Sequence, residues 1–147
     1  MTEILVDVPK MEEYLNENSP QTHTVECPLE EHFAPDIYVR QVTMPAGTFV
    51  LGAKHLTEHL NVVISGSARV VMGDEIVEIK APCTFKSEAG VQKILHVTED
   101  CIWQTVHSNP ENITDTEVLS ARLVDYTNTK VPIESVNKLL WLGSEQQ

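Results

Sequence analysis

Most of this chain is a succession of short runs rich in β-branched residues, separated by Gly, Pro, Asn and Asp. The runs are DIYVRQVTM, GTFVLG, LNVVIS, SARVVM, EIVEI, CTF, VQKILHV, IWQTVH and EVLSARLVDY. Runs of this length and spacing are typical of antiparallel strands in a sandwich or barrel. The 147 residues contain no repeat and no low-complexity linker, so we predict one all-β domain spanning residues 1–147.

Two glycine-containing segments predict where neighbouring strands turn. Met72-Gly73-Asp74-Glu75 separates VV from IV, and glycine supplies the positive φ that a tight hairpin needs. Ser65-Gly66-Ser67 separates NVVI from ARVVM in the same way. We therefore expect local strand pairing through the middle of the chain.

Helices are expected only near the two ends. Residues 9–17 begin with proline and contain polar helix formers. Residues 132–142 also open with proline and place apolar residues at helical spacing, namely Ile133, Val136, Leu139 and Leu140. The second helix is expected to pack on the outside of the β domain.

The composition disfavours several classes of function. The net charge of −12, from 22 acidic and 10 basic residues, argues against a broad phosphate-binding surface and hence against nucleic acid as a partner. The first residues carry no basic leader, and no apolar window reaches the roughly 18 residues needed to cross a bilayer, so we expect no membrane partner and a cytoplasmic protein. Cys27, Cys83 and Cys101 form no C-x-x-C pair, which argues against a disulfide framework or a cysteine zinc cluster and predicts buried thiols.

The segment His55-Leu-Thr-Glu-His59 admits two interpretations. As H-x-x-E-H on a helix it would be the zinc-binding face of a metalloprotease, but its flanks, PAGTFVLG and LNVVISG, favour strand and turn. In a straight strand the two histidines would stand about 13 Å apart, too far to share one ion. The chain must therefore bend over residues 56–58 if both imidazoles are to reach a metal.

The run from Gly47 to Gly66 resembles the first motif of the cupin superfamily, which reads G, five residues, H-x-H, three or four residues, E, six residues, G. Every spacing fits. Ala53 stands at the position of the first histidine and His59 at that of the glutamate, so His55 is the one literal match among the usual ligands.

The second cupin motif is weaker in this chain. Pro82 can be aligned, but Thr84 replaces a glycine and Ser87 replaces the histidine that is the usual fourth ligand. The wider pattern resembles small cupins encoded by bacteriophages and prophages. If this protein is phage-encoded, its expected location is the cytoplasm of the host cell. The resemblance implies a jelly-roll core over about residues 26–125, with an N-terminal extension over 1–25 and a C-terminal helix over about 132–142.

A third histidine is needed to complete a site. Strand alternation puts Trp103, Thr105 and His107 on one face, so His107 can approach the pair His55 and His59 if that face lines the barrel. Three neutral imidazoles would leave positions open for water or substrate. The alternative is that His107 only ends a strand.

The remaining three histidines are weaker candidates. His96 has the opposite alternation to Lys93, Leu95 and Val97, and periodicity does not decide which set faces inward. His23 and His32 lie in the irregular acidic N-terminal segment.

Four other side chains are candidates for ligand chemistry. Glu58, beside the histidines, is the candidate catalytic base, or alternatively a solvated turn residue. Lys93 is a candidate anchor for a carboxylate or phosphate, although strand lysines are more often exposed. Tyr38 and Trp103 are candidate aromatic walls of a ligand site, or core residues.

The predicted centre is one divalent transition metal, with Zn, Fe(II), Ni, Mn and Cu(II) all compatible with imidazoles. By analogy with cupin isomerases, lyases and dioxygenases, the metal would act on a small-molecule ligand. A non-catalytic cupin that binds or sequesters a ligand, or serves as a scaffold, is the main alternative, and a metal-free sugar epimerase is a third. Cupin analogy also predicts a homodimer.

Overall fold

The computed structural model describes residues 5–18, 24, 26–72, 75–125 and 129–145. The strands are β1 Leu5–Asp7, β2 Leu29–Ala34, β3 Ile37–Met44, β4 Phe49–Leu51, β5 Lys54–His55, β6 His59–Met72, β7 Glu75–Lys80, β8 Cys83–Ser87, β9 Lys93–Ser108, β10 Val124–Asp125 and β11 Lys130–Pro132. The helices are α1 Val8–Asn18, α2 Thr116–Leu123 and α3 Ile133–Glu145. Strand dominates, as predicted, and all the pairings are antiparallel.

Two long central strands, β6 and β9, build the barrel because each takes part in both of its walls. The first half of β6 pairs with β8 and with the second half of β9, which in turn pairs with β3 and then β2. The second half of β6 pairs with β7 and with the first half of β9, which also pairs with β4. The sheet therefore folds over on itself about the middle of these two strands.

Gly66 marks the point where β6 bends. Its φ of 83° lies in the left-handed region, and the β6–β9 register shifts on both sides of it. A Cβ placed there would lie 2.0 Å from the carbonyl oxygen of Asp100, so only glycine allows this approach of the two strands.

The predicted turn at Ser65-Gly66-Ser67 is therefore wrong, because these residues form a bulge inside a single strand rather than a hairpin. The runs VQKILHV and IWQTVH are likewise halves of one strand, β9. The other predicted hairpin is supported by its flanks, since Met72 pairs with Glu75 across β6 and β7, while Gly73 and Asp74 lie outside the described residues.

The core between the two walls is apolar. It consists of Met44, Val63, Ala68, Val70, Ile79, Leu95, Val97, Cys101 and Trp103. A second cluster lies on the outer face of the wall formed by β4 and the first half of β9, where α1 and α3 cover it. It consists of Val8, Met11, Leu15, Phe49, Leu51, Val71, Ile94, Val131, Val136 and Leu139.

The terminal helices agree with the sequence prediction within a few residues. α1 spans 8–18 where 9–17 was predicted, and α3 spans 133–145 where 132–142 was predicted. Buried Val136 and Leu139 pack against the outside of the β domain, as the apolar spacing indicated. No helix of the described ranges is both long and apolar enough to span a bilayer.

The run EVLSARLVDY was predicted as a strand, and this is wrong for most of its length. Asp115 caps a helix here, because its side chain accepts hydrogen bonds from the backbone N–H groups of Glu117 and Val118, and such caps contribute about 1 kcal/mol. Leu119 and Leu123, four residues apart, bury one face of this helix against Tyr38. Among the described residues of this run, only Val124–Asp125 is a strand, and it pairs with Lys54–His55.

Candidate metal centre and its cavity

Three strand ends bring histidines together at one end of the barrel. His55 ends β5, and residues 56–58 form the predicted bend before His59 begins β6. His107 lies near the end of β9, on the same face as Thr105 and Trp103, with Leu60 of β6 paired to the neighbouring Val106. The bend, rather than a helix, is therefore what allows positions 55 and 59 to face each other.

The three imidazoles are close enough to share one ion. One nitrogen from each of His55, His59 and His107 lies within 4.8 Å of the others. The ring centroids are 4.2 Å apart for His55 and His59, 4.9 Å for His59 and His107, and 5.9 Å for His55 and His107. His59 and His107 are buried, at 4% and 2% exposure, so their nitrogens are shielded from bulk water.

The backbone sets the tautomer of His59. Nδ1 lies 3.1 Å from the carbonyl oxygen of Thr57, which can only accept, so Nδ1 carries the proton and donates it. The lone pair is consequently on Nε2, which lies inside the cluster. A histidine that donates through one nitrogen to a backbone carbonyl is oriented and made more basic at the other, as metal ligands require.

His107 has a similar partner on its own strand. Its Nε2 lies 2.9 Å from the hydroxyl oxygen of Thr105, which accepts when Nε2 carries the proton. Nδ1 then bears the lone pair, and it is buried without a hydrogen-bond partner among the described residues, as is Nδ1 of His55. Two buried nitrogens without partners beside a third oriented one fit a metal ion that takes their lone pairs.

Burial keeps these imidazoles neutral. Desolvation, together with the charges of neighbouring groups, lowers the pKa of His55 and of His107 to about 3, and burial also lowers the pKa of His59. A neutral imidazole is the form that binds a metal, so protons do not compete for these nitrogens at neutral pH.

Lys93 lies at the edge of the cluster. Its Nζ is 3.3 Å from His59 Nε2 and donates to Ser87 Oγ at 3.1 Å. The ammonium group therefore lies between Ser87 and the imidazole of His59. Burial lowers the pKa of Lys93 to about 8, which leaves it mainly protonated at neutral pH.

A buried chain of hydrogen bonds continues from Ser87 into the barrel. Asn61 donates through Nδ2 to Ser87 Oγ at 2.8 Å, and its Oδ1 accepts from Trp103 Nε1 at 3.1 Å. This chain fixes the orientation of Ser87, and through Ser87 the position of the Lys93 ammonium.

A cavity of about 440 Å³ lies inside the barrel next to the cluster. Its lining comprises Arg40, Val42, Met44, Val50, Gly52, Ala53, His55, Lys93, Leu95, Trp103, Thr105, Ser120 and Val124. The volume falls within the roughly 300–1,000 Å³ of small-molecule sites. A separate cleft of about 370 Å³ reaches the cluster from the other side, where Glu58, His59 and His107 are among its lining residues.

The other predicted site residues have different surroundings. Trp103 and Lys93 line the cavity, whereas Tyr38 does not; its hydroxyl donates to Glu31 at 2.6 Å and its ring stacks 5.9 Å from that of His107. Glu58 is exposed, with its carboxylate 3.7 Å from Lys86 Nζ. Its predicted role as a base remains a prediction.

His96 and His32 both lie away from the cluster. His96 lies on the opposite face of β9 from Lys93 and Leu95, where its ring stacks 4.8 Å from that of Phe49. His32 is an exposed residue of β2, 3.8 Å from Glu30. His23 lies outside the described residues.

Arg40 and Asn61 are site residues that the sequence patterns did not single out. Each lies two residues from a recognised candidate, Arg40 after Tyr38 and Asn61 after His59, so strand alternation places them on the same inward face. The run DIYVRQVTM therefore contains the signal for Arg40, because alternation along it pairs positions 38 and 40.

Several solved structures resemble this architecture. An RmlC-like cupin family protein from Methanocaldococcus jannaschii, with a double-stranded β-helix fold, superposes with a TM-score of 0.51 at 11% identity, covering 58% of this chain and 84% of that one. A cupin superfamily protein from Desulfitobacterium hafniense gives 0.51 at 8% identity, covering 59% and 81%. This chain has the cupin fold.

A larger enzyme is also similar in structure to this chain. The salicylate 1,2-dioxygenase of Pseudoaminobacter salicylatoxidans, in the complex of a mutant with gentisate, superposes with a TM-score of 0.54 at 18% identity. The match covers 77% of this chain but only 33% of the dioxygenase. No family model and no curated protein matches the sequence. The structural neighbours therefore show that the fold is that of cupins.

Proposed function

We propose that this chain is a small cupin in which His55, His59 and His107 bind one divalent transition metal beside a cavity for a small-molecule ligand. The single observation that carries the proposal is the convergence of three imidazole nitrogens, from one half-buried and two buried histidines, within 4.8 Å of one another. Zn, Fe, Ni and Mn all accept such a donor set. When bound, the metal would supply a Lewis acid able to polarise a carbonyl or hydroxyl group.

The chain's own residues would orient the metal ligands and shield the bound small molecule from water. Thr57 and Thr105 orient the imidazoles of His59 and His107 through their hydrogen bonds, and the apolar lining of the cavity would exclude water from a bound ligand. Trp103 would provide an aromatic wall, while Tyr38, which stacks on His107, would position that ring rather than touch the ligand.

Metal content is the direct test. Protein purified without an affinity metal and reconstituted separately with Zn²⁺, Fe²⁺, Ni²⁺ and Mn²⁺ should retain about one ion per chain, as measured by elemental analysis after desalting. His59→Ala should lose that ion, whereas His32→Ala, which removes an exposed histidine of β2, should keep it. Equal retention by the two variants would place the metal elsewhere.

A non-catalytic ligand-binding or scaffold cupin is the second candidate. It is favoured by Ala53 and Ser87, which replace two usual ligands, and by the ion pair of Glu58 with Lys86. The two candidates differ over Glu58: in an enzyme that uses it as a base, Glu58→Gln would abolish turnover while metal and ligand still bind. In a binding protein the same variant would change nothing measurable.

The location, origin and oligomeric state of the protein are further parts of the proposal. A cytoplasmic, phage-type cupin that acts as a homodimer would fit the acidic composition and the sequence resemblance. Light scattering tests the dimer, since a mass near the 16.5 kDa of one chain would rule it out.

A further inference from the structure

The cavity carries the opposite charge to the chain as a whole. The chain has a net charge of −12, yet the cavity lining contains the cations Arg40 and Lys93 and no aspartate or glutamate of the described residues. In an acidic protein, two cations facing a shared apolar space concentrate positive potential there.

Lys93 is a buried cation without a carboxylate partner in the described part of the chain. It is 6% exposed, and its Nζ contacts Ser87 Oγ and His59 Nε2. Neither contact neutralises a positive charge. Burial of an uncompensated charge is costly, and an anion in the cavity would offset that cost.

Arg40 reaches the same cavity from β3 and forms no ion pair with a carboxylate of the described residues. Glu31, opposite Arg40 in the β2–β3 register, accepts a hydrogen bond from Tyr38 instead. Arg40 also borders a shallow cleft together with Glu31 and Glu117, so a ligand in the barrel would compete with these acids for the guanidinium group. The planar guanidinium matches a carboxylate with two parallel hydrogen bonds.

The rest of the lining determines what kind of anion fits. It is mainly apolar, with Val42, Met44, Val50, Leu95, Trp103 and Val124. A phosphate, with up to two charges and three terminal oxygens, calls for more donors than two side chains and usually uses backbone N–H groups at a helix start or glycine-rich loop, which this lining does not contain among the described residues. A carboxylate on an apolar body satisfies both parts of the lining.

We propose that the ligand is a small organic acid whose carboxylate binds Arg40 and Lys93 and whose apolar body packs against Trp103 and the aliphatic wall. The inference rests on the proposed function in that the ligand occupies the same cavity. It does not require a metal, however, so the two can be tested separately.

Benzoate is a suitable probe, with benzyl alcohol as its neutral counterpart and phenyl phosphate as its phosphate counterpart. Calorimetric titration of metal-free protein should show benzoate binding at least about tenfold more tightly than either counterpart, because only benzoate matches both the charge and the shape of the site. Equal affinity for benzoate and benzyl alcohol, or tighter binding of phenyl phosphate, would overturn the proposal.

Substitution of the two cations tests whether benzoate binds in the cavity. Arg40→Gln and Lys93→Met should each weaken benzoate binding about tenfold or more, whereas the charge-matched surface variants Arg122→Gln and Lys80→Met should leave it unchanged. Benzoate binding that survives both cavity variants would contradict the assignment. Should Lys93→Met fail to fold, as judged by circular dichroism, the Arg40→Gln titration still decides.

Lys93→Met also separates a role in the site from general damage. Removing an ammonium group 3.3 Å from His59 Nε2 removes a repulsion toward a bound cation, so Zn²⁺ affinity should rise while benzoate affinity falls. In a variant that circular dichroism shows to be folded, a fall in both affinities would contradict the proposal. In the parent protein, benzoate binding without Zn²⁺ binding would support the acid site and remove the metal centre, and the reverse result would remove the acid site alone.

Discussion

His107 and His96 lie on the same strand, β9, and are alike in isolation. Both are buried, both have a lowered pKa because of burial, and both have an Nδ1 atom without a hydrogen-bond partner among the described residues. They differ in what faces them. His107 faces His55 and His59, whereas His96 stacks on Phe49 beneath the terminal helices.

The contrast between the two rings shows what burial of a histidine does and does not indicate. A buried imidazole with a free nitrogen is neutral and available, but a metal needs several such nitrogens around one point. Within the described residues, that convergence exists only at the end of β9 where β5 and β6 meet it. At His96 the neighbouring group that most affects its pKa after burial is the cation Arg69, which disfavours a second positive charge.

Removing each imidazole in turn should give the largest difference between His107 and His96, and that difference is in Zn²⁺ affinity. His107→Ala should weaken Zn²⁺ binding on the order of 100-fold or more, since loss of a ligand exceeds the roughly 10- to 100-fold typical of losing a supporting hydrogen bond. His96→Ala should bind Zn²⁺ like the parent protein although it is less stable. Competition with a chromophoric chelator measures both affinities, and a parallel loss in the two variants would erase the distinction between the rings.

Acid should destabilise the metal-free protein because burial lowers the pKa of both His107 and His96. Folding lowers the pKa of His107 from 6.5 to about 3, so between these values the unfolded chain binds more protons. The free energy of unfolding should therefore fall as the pH drops below about 6.5, by about 2 kcal/mol at pH 5 from this ring.

The measurement is urea denaturation of wild type and His107→Phe at pH 7.5 and pH 5. The variant should lose less stability on acidification than the wild type, whereas His32→Phe, at an exposed histidine, should behave like the wild type. An equal acid effect in His107→Phe would show that other groups control this dependence.

The hydrogen bond behind His107 should contribute a moderate effect. Thr105→Val keeps the shape of the side chain but removes the hydroxyl 2.9 Å from His107 Nε2, so Zn²⁺ affinity should fall about tenfold. Thr43→Val, at an exposed threonine of β3, is a matched control on the neighbouring strand. Unchanged affinity in Thr105→Val would mean that the hydroxyl does not orient the ring.

The smallest effect is expected for His96→Phe. The substitution replaces a buried imidazole that has an unpaired nitrogen by an apolar ring of similar size stacked on Phe49, so stability should change by less than about 1 kcal/mol. The shift in thermal midpoint measures this change, and metal binding should be unaffected. A large loss of stability would reveal a polar contact of His96 that the stack does not explain.

Sequence alone was enough for the fold class and for the three converging histidines. The bend at residues 56–58 followed from the reach of imidazoles, and the inward position of His107 followed from alternation with Thr105 and Trp103. Both inferences depend only on residues close together in the sequence and on the regular spacing of side chains along a strand.

The errors arose where local signals are ambiguous. Gly66 serves a turn or a bulge equally well, and only its contact with Asp100, far along the chain, decides for the bulge. The side of β9 that His96 occupies was left open rather than predicted wrongly, because alternation separates two faces without saying which is covered by helices. The run after Asp115 mixes β-branched residues with a helix cap, and burial of Leu119 and Leu123 against Tyr38 favours the helix.

Charge distribution was the least visible feature from sequence. The 10 basic residues are scattered along the chain, and nothing in their spacing shows that Arg40 and Lys93 share a cavity. Arg40 pairs with Thr105 in the second half of β9, whereas Lys93 begins the first half, so they share the cavity only because the sheet folds over on itself.

The pairing of β5 with β10 links His55 to a segment that follows all the barrel strands in the sequence. Val124 pairs with His55, and the backbone N–H of Leu56 donates to the carbonyl oxygen of Leu123 at 2.8 Å. During synthesis the barrel strands would leave the ribosome before β10. His55 would therefore be the last of the three rings to be fixed. A released chain that ends before residue 116 contains every histidine but lacks β10, so it should hold metal poorly.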